Sequence, residues 1–150
     1  GGGAGSVSIV NVNAEPLTFG TNNIGRMLID ANGNVGIGTP LTSNPNNYRL
    51  AVNGKIGSKE VVVEINSTTW PDYVFEPEYK LPSLLELEQY IKANKHLPEV
   101  PSAEEVKENG LSVGEMNAIL LKKVEELTLH LIEQEKRIHL LEKQLSTNKE

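Results

Sequence analysis

The sequence has no cysteine, few aromatic residues and no long apolar run, and each shortage excludes a class of protein. Without cysteine there are no disulfides, no thiolate metal sites and no cysteine nucleophile. No segment approaches the roughly 20 consecutive apolar residues of a membrane-spanning helix, so membrane insertion is not expected. Aromatic residues make up 5% of the 150 residues, so we expect either a small core or an aliphatic core built from several chains.

Basic side chains are also sparse, and they form no continuous stripe. The formal net charge is -6, which disfavours binding to nucleic acid or to an anionic membrane. The three histidines, His96, His130 and His139, are far apart in the sequence and predict no metal site; we expect His130 to be solvated or paired with Glu135. No pair of carboxylates is placed for acid/base catalysis, so neither an enzyme nor a cofactor is expected.

Residues 7–66 read as a β-rich segment after a flexible linker, "GGGAGS", at residues 1–6. Apolar residues recur two apart between turn signals such as "ANG" and "SNPNN", which is the period of a strand with one buried face. Strands this short bury little: in one chain they would form a thin, poorly covered sheet, whereas intertwined with identical chains they could build a narrow fibre. The pairs are Val7 and Ile9, Leu17 and Phe19, Met27 and Ile29, Val35 and Ile37, Leu50 and Val52, and Val61 and Val63 with Ile65.

One glycine-rich stretch, "NGNVGIGTP" at residues 32–40, could be a phosphate-binding loop or a structural turn. It lacks the lysine of a P-loop, and Pro40 prevents a helix from following, so the structural interpretation is favoured. Asn32-Gly33 then makes a tight turn. Gly36 and Gly38 leave one strand face without side chains, which lets a backbone of another chain approach closely.

Residues 67–111 combine an aromatic segment with two short helices. Trp70, Tyr73 and Tyr79 are candidates for a carbohydrate-stacking surface, but together with Phe75 they could equally form the core, which we favour. Ser83 is a candidate N-cap for the first helix. Ser102 and Glu105 have the spacing of a capping box for the second helix, which Gly110 ends.

Residues 112–147 form one long helix with a heptad pattern, followed by an end, residues 148–150, that we expect to be disordered. Eight of the ten a and d positions are aliphatic, which strongly indicates a coiled coil. Arg137 at g faces Glu142 at e of a parallel neighbour, so parallel association is favoured. The a and d residues alone do not choose between two and three strands. The predicted core is Val113, Asn117, Leu120, Val124, Leu127, Leu131, Gln134, Ile138, Leu141 and Leu145.

Two further features of this helix carry expectations. Gln134 puts a polar layer in the seam, which we expect to set register, with ion binding at that layer as the alternative. A second apolar stripe lies off the seam, which indicates either a thicker bundle or outer helices that pack on it; we expect the short helices of residues 67–111 to cover it. That stripe comprises Leu121, Leu129, Ile132 and Leu140.

Long segments of the chain resemble known fibre proteins. Residues 17–40, "LTFGTNNIGRMLIDANGNVGIGTP", and residues 48–64, "YRLAVNGKIGSKEVVVE", resemble the repeat-like sequence of bacteriophage tail fibres and related bacterial surface fibres. Residues 70–138, from "WPDYVFEPEYKLP" through "ENGLSVGEMNAILL" to "EQEKRI", resemble the C-terminal ends of tail-fibre-domain proteins common in Bacteroidetes. The resemblance implies a homotrimeric fibre end.

One branch of such fibres ends in an intramolecular chaperone that cuts itself off, using a serine placed before an aspartate and a nearby lysine. Asp72 and Lys80 correspond to the aspartate and the lysine, but Pro71 stands where the serine is needed. Without that hydroxyl the cleavage has no nucleophile. The resemblance therefore implies a non-cleaving relative.

The expected architecture is mixed β and α: an intertwined trimeric β-fibre segment, then short helices and a parallel trimeric coiled coil. The expected function is trimerisation and registration at the end of a fibre outside the cell or on a virion or injection particle. A receptor- or glycan-binding tip is the alternative, and self-cleavage is the less favoured one.

Overall fold

The structure is a computed structural model that describes residues 8–41, 46–64 and 70–147. In this part of the chain the fold is mixed β and α, as the sequence predicts; a four-stranded sheet is followed by three helices. The chain divides into two compact units, Gly1–Val61 and Val62–Glu150. The predicted linker at residues 1–6, the apolar residues Val7 and Ile65, and residues 148–150 lie outside the described residues.

The first unit is a thin sheet with strand order β1-β2-β3-β4. Pairing is antiparallel between β1 and β2 and between β2 and β3, and parallel between β3 and β4. Nearly all side chains of these strands are exposed or half-buried, which fits the expectation that short strands bury little within one chain. The strands are β1 (Leu17–Thr21), β2 (Ile24–Ile29), β3 (Val35–Ile37) and β4 (Leu50–Val52).

Two predicted strands are absent from the described residues. Ile9 lies in irregular backbone with 72% of its surface exposed, and Val61 and Val63 likewise belong to no strand. A strand needs a partner for its backbone groups, and the sheet formed by the described residues supplies none to these segments. Within the single chain these two segments are not strands, and their pairing with identical chains stays a prediction.

The turn at Asn32 and Gly33 is confirmed as the link between β2 and β3. Gly33 has a φ of 80°, and its N–H donates to the carbonyl of Asp30 at 3.0 Å. The Asp30 carboxylate accepts from the backbone N–H groups of Asn32 and Asn34, both at 2.8 Å. These bonds, the one from Asn34 foremost, lower the pKa of Asp30. Arg49 closes the turn by donating to the Asn32 carbonyl at 3.1 Å.

The two glycines after the turn have different roles. Gly36 is buried in β3, where a Cβ would lie 2.6 Å from the carbonyl oxygen of Thr39 and 2.8 Å from Cγ of Leu41. A close backbone approach was expected here, but the prediction that the approaching segment belongs to another chain is wrong for Gly36. Gly38 follows the strand with a φ of 66°, which favours glycine because it has no Cβ.

The second unit begins with a 3-10 turn at Pro71–Phe75, followed by three helices. Ser83 caps the first helix and Ser102 the second, each in a complete capping box with Glu86 and Glu105. The caps and the end of the second helix at Gly110 confirm the predictions for this region. No helix among the described residues is long and apolar enough to cross a membrane. The helices are α1 (Leu84–Asn94), α2 (Ala103–Asn109) and α3 (Val113–Thr147).

The core of this unit is small and lacks the predicted aromatic residues. The 3-10 turn packs against α3 and buries Pro71 and Val74, while α3 contributes the small residues Gly114 and Ala118. Trp70, Tyr73 and Phe75 are between 41% and 57% exposed, so the prediction that the aromatic cluster forms the core is wrong. Because Gly114 and Ala118 on α3 are small and Pro71 is compact, the 3-10 turn lies close to the helix. The large aromatic rings of this segment therefore point to solvent.

Candidate assembly interface on the long helix

The predicted heptad core forms an exposed stripe along the whole of α3. All eight aliphatic a and d residues are between 48% and 63% exposed in the single chain, and Asn117 and Gln134 are exposed as well. We call this row the a/d stripe; it runs from Val113 to Leu145. Apolar patches of this length are uncommon on a monomer and mark interaction surfaces.

The rest of the chain covers a different face of α3. The buried residues Gly114, Ala118, Glu126 and His130 occupy e, b, c and g positions, none of them in the a/d stripe. The part of α3 that the rest of the chain covers ends at His130, since every residue from Leu131 to Thr147 is exposed. The rest of the second unit therefore covers only the N-terminal half of α3 and leaves the aliphatic residues of the a/d stripe exposed along the whole helix.

A buried carboxylate, Glu126, links α3 to the segment before α1. Its side chain accepts a hydrogen bond from the hydroxyl of Tyr79 and another from Nζ of Lys123 at 2.9 Å. Glu126 is only 4% exposed, so these partners compensate for the loss of water around its charge. Burial and the Glu126 hydrogen bond both raise the pKa of Tyr79, which keeps its hydroxyl protonated as the donor.

Lys122 and Lys123 tie α3 to Glu99 in the loop between α1 and α2. Nζ of Lys122 lies 2.5 Å from Oε1 of Glu99, and Nζ of Lys123 lies 3.3 Å from Oε2. Burial opposes the ionised carboxylate, but the bonds from the two lysines hold the pKa of Glu99 below its usual value. The ammonium of Lys122 also lies over the rings of Tyr73 and Tyr79, at 5.7 and 5.9 Å from their centroids.

His130 is buried, so the expectation of a solvated side chain is wrong. Its residue surface is 8% exposed, and its Nε2 is buried without a hydrogen-bond partner in the described residues. The ring lines a cleft of about 240 Å³ between α1, the loop at Leu97 and α3. We call this cleft the leucine groove. It is lined by Leu84, Leu87, Leu97, Leu120, Lys123, Val124, Glu126, Leu127 and His130.

The second apolar stripe is covered only in part. Leu121 and Leu129 are half-buried, but Ile132 and Leu140 are 47% and 60% exposed. The predicted cover by the short helices therefore does not extend along the stripe. The reason is length: α1 and α2 have 11 and 7 residues against 35 for α3.

The candidate surface aromatics do not act as one group. Trp70 and Tyr73 are exposed, whereas Tyr79 is half-buried and bonded to Glu126. Tyr73 and Tyr79 stack at a tilt, with centroids 5.9 Å apart. Tyr73 also lines a cleft of about 330 Å³ with Glu99 and Lys122. Two aromatic side chains are thus available to a ligand, and the third has a structural contact.

The residues matched to the self-cleaving fibres lie around the 3-10 turn. Pro71 is buried, and Asp72 and Lys80 are exposed and form no ion pair with each other among the described residues. Asp72 instead acts on Glu125 of α3. Burial raises the pKa of Glu125, and the negative charge of Asp72 raises it further. Oε2 of Glu125 is buried without a partner in the described part of the chain.

In residues 8–41, 46–64 and 70–147, no group of three or more His, Cys, Asp or Glu side chains is placed to hold a metal ion. Comparison of the chain with protein-family models, with curated proteins and with solved structures gives no match in any of the three.

Proposed function

We propose that the chain is a structural self-assembly module, in which three copies associate through a parallel coiled coil of α3 and hold one another in register. The observation that carries the proposal is the a/d stripe: an apolar row of constant heptad spacing, exposed from end to end while the chain covers the neighbouring face. The resemblance of residues 17–40, 48–64 and 70–138 to tail-fibre sequences favours the trimer and a place at a fibre end outside the cell.

The role follows from how such chains assemble. Pairing between short strands of different chains is slow and prone to register slips, because distant segments must meet before any contact forms. A long helix forms from local contacts and aligns its partners along a repeating seam. The sheet of the first unit is thin and exposes Phe19 and Ile24. Identical chains that the coiled coil holds in register would cover such apolar side chains and so stabilise the sheet.

The test compares two adjacent positions in the exposed part of α3, on the C-terminal side of His130. Leu131 is an a residue and Ile132 is a b residue, and they are 61% and 47% exposed. Leu131→Glu should dissociate the trimer in sedimentation equilibrium, whereas Ile132→Glu should not. Glutamate is a good helix former, so neither change should reduce the helicity of the single chain at these exposed sites. Equal effects of the two substitutions would show that the a/d stripe is not the seam.

A second function, binding of a cell-surface glycan, is favoured by the exposure of Trp70 and Tyr73. Exposed rings can stack on sugar faces, and three copies in a trimer would add weak sites together. The test is glycan-array binding by the wild-type chain and by Trp70→Ala. Loss of binding with the trimer intact supports this function, and unchanged binding contradicts a role for the ring.

A further inference from the structure

The leucine groove lies between the a/d stripe of α3 and helix α1. Its floor is formed by Leu120, Val124 and Leu127, which are d, a and d residues of the heptad. Its wall is formed by Leu84 and Leu87 of α1 and by Leu97. Any molecule that occupies the groove must therefore lie on the same residues that a coiled-coil partner uses.

We infer that α3 of a neighbouring copy fills the leucine groove, so that α1 is part of the assembly interface alongside the coiled coil. This inference rests on the proposed parallel assembly and identifies the contacts made within it. The groove lies on the side of α3 that carries the g residues Lys123 and His130. In a parallel, in-register pair the g side of one helix faces the e side of the next. The e residues of the neighbour therefore lie next to Leu84 and Leu87.

The charges of the two surfaces agree with this occupant. Nε2 of His130 is buried without a partner in the single chain, and a buried polar atom without a hydrogen bond is costly. The residue that faces His130 across a parallel seam is Glu135 of the neighbour, five positions further along. Glu135 is exposed, and it forms no ion pair within the described residues. A second copy thus brings a carboxylate to the side of α3 where the His130 ring lines the groove, and rotation of that ring would give its nitrogen a partner.

The apolar part of the groove suits the same occupant. Leu84 is 47% exposed and Leu120, Val124 and Leu127 between 48% and 58%, so the single chain leaves both the wall and the floor in water. A helix laid along the floor would cover these leucines with its own a and d side chains. Each would then gain the transfer free energy of burial that it lacks in the monomer.

The experiment uses two neighbouring leucines at the start of α1. Leu84 lines the groove, whereas Leu85 does not and is 72% exposed. Both lie in the first turn after the N-cap Ser83, where an acidic residue is favourable for the helix, so Leu84→Glu and Leu85→Glu should both fold. We expect Leu84→Glu to raise the dissociation constant of the full chain at least tenfold in sedimentation equilibrium, and Leu85→Glu to leave it unchanged.

A second pair tests the polar contact without altering the groove. Glu135→Gln should raise the dissociation constant roughly tenfold, because a buried polar group then loses its charged partner. Glu133→Gln, at an exposed c position, should have no effect. If the wild-type chain assembles but Leu84→Glu matches Leu85→Glu, the groove is not part of the interface and the coiled coil stands alone. If the wild-type chain does not assemble, the proposed function itself fails.

Discussion

The hydroxyl of Tyr79 donates a hydrogen bond to Oε1 of Glu126, across 47 residues of sequence. This bond and the ion pair from Lys123 are what allow a glutamate to lie 4% exposed on α3. It connects the segment before α1 to the long helix, and so holds that segment against a face of α3 that lies outside the a/d stripe.

Tyr79→Phe should lower the free energy of unfolding of the second unit by about 1–3 kcal/mol, because Oε1 of Glu126 loses its donor in a buried place. The measurement is urea unfolding by circular dichroism at one fixed protomer concentration, since assembly adds to stability. The control is Tyr73→Phe, because the hydroxyl of Tyr73 makes no hydrogen bond among the described residues and the ring is 43% exposed. Equal losses in the two variants would contradict the role given to the Tyr79 hydroxyl.

Glu125→Gln should stabilise the protein at neutral pH. The pKa of Glu125 is raised above 4.5 by burial and by Asp72, so the folded state binds the proton more tightly than the unfolded state. Stability from this group is present below the unfolded pKa and is lost as the pH rises through the folded value. The gain from glutamine should therefore be largest near pH 7 and should disappear below about pH 4. Thermal unfolding across this range checks it, and a gain that does not change with pH would refute the assignment.

Gly36→Ala should destabilise the first unit by about 1–3 kcal/mol, because the new methyl group would overlap the Thr39 carbonyl and Leu41. Gly54→Ala is the matched control, since a Cβ there meets no atom within 4 Å. Amide hydrogen exchange of β2 and β3 reports on the sheet directly. If Gly36→Ala leaves amide hydrogen exchange as slow as Gly54→Ala does, the close approach of Thr39 and Leu41 to Gly36 is not required for the sheet.

Gln134→Leu should make the assembly more stable but less specific. A glutamine at a d position of the proposed seam buries a polar amide, and replacing it by leucine removes a cost of about 1–3 kcal/mol per protomer. It also removes the layer that we expect to fix register and strand number. Thermal unfolding should shift upward, and sedimentation velocity should resolve more than one oligomer. A variant that is less stable than the wild type would show that Gln134 makes favourable bonds in the seam.

Local patterns in the sequence predicted the elements that depend on neighbouring residues. The capping boxes at Ser83 and Ser102 and the turn at Gly33 follow from residues within four positions of each other. The continuous helix of α3 likewise follows from its uninterrupted heptad pattern. Such features need no knowledge of distant contacts, which is why the sequence was sufficient for them.

Features that depend on distant contacts were not predicted. Tyr79 bonds to Glu126, and Lys123 bonds to both Glu126 and Glu99, so these contacts join segments that are far apart in sequence. In the sequence, only the placement of Lys122, Lys123 and Glu126 on one face of α3 points to them. The aromatic residues were expected in the core because of their residue type, but the residues of this segment that are buried are Pro71 and Val74. The alternation at Val61 and Val63 has no partner strand among the described residues of the single chain.

The mass of the chain in solution tests the central proposal most directly. Sedimentation equilibrium over a hundredfold range of micromolar concentrations should give a species three times the chain mass of 16.4 kDa, which dissociates on dilution. The helicity of residues 131–147 should fall with dissociation, because every residue in this end of α3 is exposed in the single chain and a helix this short is marginal without packing. A mass of 16.4 kDa at every concentration would contradict the account.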